Sequence, residues 1–569
     1  MLVLVYPQRI SRSLVSRSFP VVVDIVSEYF TMDIKTEEAS QASYVEDMEA
    51  QTLSKFQKEQ RDEDIDRIDT CIAAEHAGTI LGHKDDGRRT NLHPMPSLDP
   101  NDPLNWPRSK KYMTYLTICF FSFLATVNVS KFSIAVVVLS KEFHVSSTEA
   151  GYLVSFGVLM LGMGNLFWVV MLRIIGRRPA FLLAIPLLFV TNIWAYFSGS
   201  FGSLLASTIV GGFGAAAAEA PVSAVVADMF FVNERGAMLM IFHLALSFGF
   251  FVGPFLNAYV LQYAGWRWIC GWLAIASGLC WLVALFTIHE TVYRDRDVSA
   301  PAERFGGLRP FKWWLNVTSG YDRRIGFLRT AWNMIAVVGY PSVTWAGLVI
   351  GGFVGWNVVV QQEAARTFTT APYHWKAHSL GLLSLSGLIG ALVATFLGGR
   401  LVDIVSNHMT KKNHGRREPE FRLPTIVLPA IIGPMGILIF GICVANKLSW
   451  GGAAVGYGMQ GFGLTAAPNI LVTYAVDSYL PLAGEALVVV FVLRGIASCL
   501  LSIFAPNWIE DVGTTAAFGQ MVGVQYFLLI FVVLFAFYGK RIRAMTARSM
   551  KQNRDRQINV LFASGKILP

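Results

Sequence analysis

The chain has 569 residues, of which 54 % are hydrophobic and 15 % charged, too apolar a balance for a water-soluble globular protein of this length. The net charge of +9 comes from lysines and arginines spread through short loops between apolar runs rather than gathered on one soluble domain, which argues against nucleic-acid binding. Six cysteines (Cys71, Cys119, Cys270, Cys280, Cys443 and Cys499) show no CxxC spacing and five fall inside apolar runs, so no disulfide framework, metal site or cofactor is expected.

Met1 to Phe30 mixes apolar residues with Arg9, Arg12 and Arg17, and three readings stay open: a targeting peptide, a weak amphipathic segment, or a sequence preceding a start at Met32. Residues 33 to 70 hold twelve acidic residues against five basic ones with no apolar periodicity, the pattern of a disordered cytosolic tail. That tail, residues 1–111, ends in the turn-rich Asp99-Pro-Asn-Asp-Pro-Leu-Asn-Trp-Pro107 and in Arg108, Lys110 and Lys111 at the first membrane boundary.

Six apolar runs follow, near 113–139, 150–172, 179–198, 203–227, 237–261 and 267–288, each long enough to cross a hydrocarbon core of about 30 Å as a helix. They predict an N-terminal six-helix bundle over 112–288. A polar segment over 289–335, rich in arginine, reads as a central cytosolic linker. A second bundle is expected over 336–540, with spans near 336–360, 379–403, 423–445, 450–475, 485–507 and 517–539, before a basic cytosolic tail over 541–569. The fold class is thus an all-α integral membrane protein with twelve transmembrane helices in two pseudo-symmetric bundles.

Loops rich in lysine and arginine stay cytosolic. Arg173, Arg177 and Arg178 follow span 2, Arg235 follows span 4, Lys411, Lys412, Arg416, Arg417 and Arg422 follow span 8, and Arg541, Arg543 and Arg548 follow span 12. Both termini are therefore expected on the cytosolic side, where Asn316-Val-Thr318 escapes glycosylation. Two bundles of six suit a carrier that rocks them about a midplane site.

The loop after span 2 ends in Gly176-Arg177-Arg178-Pro179, where glycine allows a tight turn and Pro179 suits a helix start. The equivalent loop after span 8 carries Gly399-Arg-Leu-Val-Asp403. With Asp102-Pro-Leu-Asn-Trp-Pro107, Asn165-Leu-Phe-Trp168, Asp228-Met-Phe-Phe-Val-Asn-Glu-Arg-Gly236, Glu418-Pro-Glu-Phe-Arg-Leu423 and Thr473-Tyr-Ala-Val-Asp-Ser-Tyr479, these motifs resemble the major facilitator superfamily. Within it they are similar to the fungal twelve-span drug:proton antiporter branch, over roughly residues 99 to 540. The resemblance implies the major facilitator fold and a cytosolic gate in which Arg177 and Arg178 bridge to Asp228. Gly249-Phe-Phe-Val-Gly253-Pro254 in span 5 is similar to the glycine-proline motif of antiporters, although Asn257-Ala258 stands where the family has a glycine pair. Arg173 stands where the family's loop motif has aspartate, and Thr208 where span 4 has arginine.

An ionisable group facing lipid costs about 3 kcal/mol or more, so one inside a span faces a cavity or a partner. Glu219, about 22 Å below the outer boundary of span 4 at 1.5 Å per residue, is the leading candidate to titrate or bind a cation, with a structural ion pair as the alternative. Arg494 in span 11 is placed to meet an anionic substrate or an acid on another helix. Lys131, late in span 1, is expected to snorkel to the outer surface rather than bind. Asn128, His243, Asn257, Asn357, Gln361 and Gln362 are able to add hydrogen bonds to a cavity, though packing explains each as well. Asp403, Asp477 and Glu485 lie at cytosolic helix ends and are assigned with Arg235 to the gate, Asp403 facing the start of span 5.

These features predict a non-enzymatic, alternating-access transporter of a small organic molecule, a monomer of the plasma membrane, exporting a hydrophobic or cationic compound in exchange for protons. An internal membrane such as the vacuole is the alternative location. Uptake of a nutrient or polyamine-like cation is the alternative function, and a non-transporting membrane sensor is the alternative from another class. The C-tail, with eight cations against one anion from Lys540 onward, suits anionic cytosolic lipids.

Overall fold

The computed structural model describes residues 99, 101–293, 326–371, 373–413, 418–479 and 482–563. The acidic N-tail, the arginines of the linker between 294 and 325 with Asn316, the loop cations Arg416 and Arg417, and residues 564–569 lie outside the described residues, as does the side chain of Asp403. The described residues are helical and carry no strand.

The first half holds α1 (Arg108–Ser130), a short α2 (Val136–Glu142), α3 (Ser147–Ile174), α4 (Arg177–Tyr196), α5 (Phe201–Ala215), α6 (Ala220–Met229), α7 (Val232–Ala264) and α8 (Trp266–Thr287). After α9 (Phe327–Ala336) the second half holds α10 (Pro341–Thr369), α11 (Ala377–Lys412), α12 (Val427–Ala445), α13 (Trp450–Ser478), α14 (Ala483–Val512) and α15 (Thr514–Ala563). Local chemistry starts several of them. Ser146 and Glu149 form a reciprocal capping box before α3, and Ser200 caps α5. Gly265 and Gly513, each at φ 87°, turn the chain from α7 into α8 and from α14 into α15, the same corner in the two halves.

Packing repeats with the corners. In the first half α1 lies against α7, α3 against α5, and α4 against α8; in the second α10 lies against α14, α11 against α13, and α12 against α15. Across the seam α3 meets α14 and α7 meets α11. Two equivalent bundles and two equivalent cross-seam contacts make a pseudo-two-fold arrangement.

Among the described residues, eleven helical segments are long and apolar enough to cross a membrane. The twelfth, α13, has the length at 29 residues, but its six glycines, Tyr457 and Gln460 dilute its apolar character. These polar and small residues face protein rather than lipid, since Tyr457, Gln460, Gly456, Gly461 and Gly463 are all buried.

Two spans expected as single helices are broken. Span 1 stops at Ser130, turns over residues 131–135 and resumes as α2. Span 4 stops at Ala215, passes through a 3-10 turn over Ala216–Ala218 and restarts at Ala220. Pro221 causes the second break, because it has no N–H to continue the ladder. At the other end α15 runs for 50 residues, about 75 Å, and so continues well past the apolar stretch expected to end near 539.

Candidate functional site

The break in span 4 exposes backbone groups that water cannot satisfy within a bilayer. Ser122 of α1 donates to the Ala218 carbonyl at 3.1 Å, and the freed Ala220 N–H donates to Asn165 Oδ1 of α3 at 3.0 Å. Asn165 Nδ2 in turn donates to Glu219 Oε2 at 3.0 Å. One asparagine therefore mends the break and holds the carboxylate that sits in it.

Glu219 points across the seam. Arg494 Nη2 of α14 lies 2.5 Å from its Oε1 and 2.6 Å from its Oε2, with the two side chains 1 % and 8 % exposed. The pair spans 275 positions of sequence and ties the first bundle to the second. Arg494 Nε is buried without a hydrogen-bond partner, and the guanidinium lies 4.8 Å from the Phe491 ring. Close approach of the helices makes the contact possible: a Cβ on Gly162 of α3 would lie 2.8 Å from Gly495 Cα of α14. Beyond it Ser502 donates to Ser155 at 2.7 Å, again across the seam.

A second polar group is centred in the second bundle and reaches the first where Gln361 Nε2 donates to the Phe250 carbonyl at 3.4 Å. Asn357 donates to Gln460 Oε1 at 2.9 Å, and Gln361 donates to Asn357 Oδ1 at 2.9 Å and to the Tyr457 hydroxyl at 3.0 Å. Gln362 likewise crosses the seam and donates to the Gly151 carbonyl at 3.3 Å. His243 lines a water-sized recess with Thr395, Thr465 and Asn469.

Lys131 does not snorkel. Its side chain is 1 % exposed, and Nζ donates to Asn128 Oδ1 at 3.1 Å and Asn192 Oδ1 at 2.9 Å. The turn over residues 131–135 directs the side chain into the first bundle, where the two amides replace the water it would have sought. Asn257 belongs to the same region, accepting from Trp272 Nε1 at 3.0 Å and donating to the Lys131 carbonyl at 3.5 Å.

On the face that carries the basic loops, Gly176 adopts φ 102° at the end of the α3–α4 turn. Arg177 Nε lies 3.1 Å from Asp228 Oδ2, but Arg178 does not share that acid: its Nη2 donates to the Leu285 carbonyl at 2.7 Å, on the buried side of the helix start. Pro179 is buried in the first turn of α4. Arg235 donates to the carbonyls of Phe230 and Ala227. Arg173 of the first bundle meets Glu485 of the second at 2.7 Å, and Arg422 meets Asp477 at 2.8 Å. Gly249 and Gly253 of α7 press onto α1, since a Cβ on Gly249 would fall on Thr126 and one on Gly253 would lie 3.1 Å from Val127; Pro254 follows within the helix.

Sequence reasoning overlooked Asn165, Gln460 and Glu290 as site residues. The first sits in a quoted motif, and a buried amide in a span was the available signal. Glu290, 3 % exposed just beyond α8, accepts from the N–H groups of Arg177 at 2.9 Å, Arg178 at 3.2 Å and Val292 at 3.0 Å. Burial outweighs these donors and the Arg177 charge, so its carboxyl titrates above the usual range. A carboxyl that holds its proton more tightly folded than unfolded supports the fold at low pH, and that support fades as pH rises from about 4.3 through the raised value. Thermal unfolding in detergent is expected to show wild type losing stability relative to Glu290→Gln across that interval; a pH-independent difference contradicts the assignment.

The Major Facilitator Superfamily model matches residues 118–506. The MFS transporter cpaT of Aspergillus oryzae is 28 % identical over 451 residues, covering 78 % of this chain and 90 % of its own length. Efflux pump radE of Floropilus chiversii is 24 % identical over 459 residues, covering 78 % and 83 % respectively. Among solved structures, the proton:xylose symporter XylE shares the fold with a TM-score of 0.55 at 16 % identity, over 76 % of this chain and 97 % of that one.

Proposed function

The chain belongs to the major facilitator superfamily, and from that premise we propose that it exports a hydrophobic small molecule by alternating access in exchange for protons. It is a multi-pass membrane transporter; the direction, the coupling ion and the substrate class are the proposal. The observation that carries it is the Glu219–Arg494 pair, the described ion pair that joins the two bundles deep within the spans.

Rocking the bundles apart at that level has to separate the pair, which leaves two charges without partners in a low-dielectric interior. A proton delivered to Glu219 removes one of those charges, and Asn165 remains to hold the neutral carboxyl. Protonation thus lowers the cost of opening, and proton release restores the tie. The Arg173–Glu485 pair acts as a shallower latch on the basic face, with Arg177–Asp228 bracing the loop beside it. We assign that face to the cytosol and the protein to the plasma membrane, on the distribution of loop cations. The named efflux pumps among its relatives support the outward direction.

The test is flux of a panel of neutral and cationic dyes from liposomes holding the full chain, with and without a pH gradient. The expected result is extrusion accelerated by acid on the receiving side and a loss of that acceleration in Glu219→Gln. Flux indifferent to the gradient removes the antiport reading and leaves a carrier.

A further inference from the structure

Two recesses, each about the size of a water molecule, lie against α11 and α13 of the second bundle; neither is lined by Glu219 or Arg494, although the Arg494 charge lies within electrostatic reach of His243 in the second. The first is lined by Ile134, Gln361, Leu380, Ser384 and Tyr457, the second by His243, Leu244, Thr395, Thr465 and Asn469, toward the basic face. Both use the same two helices of the second bundle, α11 and α13, one or more turns apart. None of the described residues lining either recess is a lysine, arginine, aspartate or glutamate.

Between them the chain is pinched. A Cβ on Gly390 of α11 would fall on the Gly458 carbonyl of α13, and one on Gly461 would fall on the Gly387 carbonyl. Phe251 of α7 closes the third side: it is fully buried, its ring centre lies 5.8 Å from that of Tyr457, and a Cβ on Gly387 would fall on the ring itself. An aromatic ring seated on a glycine one helical turn below Ser384 separates the recess containing Tyr457 from the one containing His243. Glycine contacts let helices slide or part with little side-chain rearrangement, whereas the ring has to swing aside for anything to pass.

We propose that Phe251 is the plug of a conduit along α11 and α13 that holds no lysine, arginine or carboxylate, and that the substrate is an uncharged, lipophilic molecule carrying hydroxyl or carbonyl groups. This rests on the carrier reading and narrows it. Lining by apolar surface with Gln361, Ser384, Tyr457, His243, Thr395 and Asn469 offers hydrogen bonds to such groups but no lysine, arginine or carboxylate to match an ammonium or carboxylate, whose desolvation would go uncompensated. Coupling and cargo then use different side chains, and the proton acts on the bundles rather than on the substrate.

The experiment places single cysteines at Ser384 or Thr395 in the full chain and follows their modification by N-ethylmaleimide in detergent, against the unsubstituted parent. Three probes share one skeleton: 3-(1-naphthyl)propan-1-ol, its ammonium analogue and its carboxylate analogue. The alcohol is expected to slow both modifications at least fivefold and the charged analogues to leave them unchanged. Phe251→Ala is expected to speed both at least tenfold, while Phe251→Leu, which keeps apolar bulk, stays within twofold of the parent and controls for misfolding. Equal protection by the ammonium analogue, or rates unmoved by Phe251→Ala, overturns the proposal. No pH gradient enters the measurement, so its outcome is separable from failure of the proton-exchange reading.

Discussion

Replacing Arg494 with methionine is expected to lower stability by about 3–5 kcal/mol, the cost of leaving a buried carboxylate without its cation. Glu219 keeps the Asn165 amide at 3.0 Å after that change, but an amide supplies one dipole where a full charge was matched. Glu219→Gln leaves the reverse problem, a guanidinium 8 % exposed whose Nε already lacks a partner. Its cost is expected to be smaller, because Phe491 stacks on the guanidinium and the carbonyl of the introduced amide still accepts from it. The double variant is expected to be more stable than Arg494→Met alone, with a coupling energy of about 1–3 kcal/mol from the four-way comparison. Thermal unfolding of the four purified chains in one detergent reads all of these quantities. Additive losses would mean that the two groups do not act on each other, and the inter-bundle tie would fall with them.

The pattern of loss in that comparison also bears on what is readable from residues alone. Long apolar runs fix the number and rough extent of the spans, because a helix in hydrocarbon has to be apolar for most of its length. Hydropathy averaged over such a run is blind to a single turn, and so the breaks at residues 131–135 and at Ala216–Ala218 do not show in it. Lys131 illustrates the consequence: counted along an unbroken helix it sits near the outer boundary, but the turn points it inward onto Asn128 and Asn192. Glu219 and Arg494 are each conspicuous as charges in apolar surroundings, yet nothing local couples positions 275 apart. Arg178 is directed by the geometry of the α4 start, which puts its guanidinium against the Leu285 carbonyl instead of Asp228. Membership of a superfamily likewise prescribes the loop motif but not the partner of each arginine in it. The same holds for α13, whose small and polar residues depress its apolar average because they serve the interior between α11, α12 and α10.

Gly495→Leu is expected to be the most damaging substitution along the α3–α14 contact. A Cβ there would lie 2.8 Å from Gly162 Cα and 3.2 Å from the Val158 carbonyl, so the added side chain meets backbone that has no rotamer to yield. Overpacking of this kind costs about 1–3 kcal/mol where the core can adjust and more where it cannot. Here the adjustment available is separation of α3 from α14, and it pulls Arg494, the adjacent residue, away from Glu219. The two losses therefore compound, and Gly495→Ala, with one methyl in place of four carbons, should fall between wild type and leucine. Gly523 of α15 supplies the contrast: a Cβ there meets nothing within 4 Å, so Gly523→Leu is expected to be neutral or to gain up to about 1 kcal/mol from reduced backbone freedom. Melting temperatures of the three variants beside wild type, with the elution profile of each, decide the matter. If Gly495→Leu melts with Gly523→Leu, the helices do not bear on each other at that point, and the close seam on which the buried ion pair depends is absent from the protein in solution.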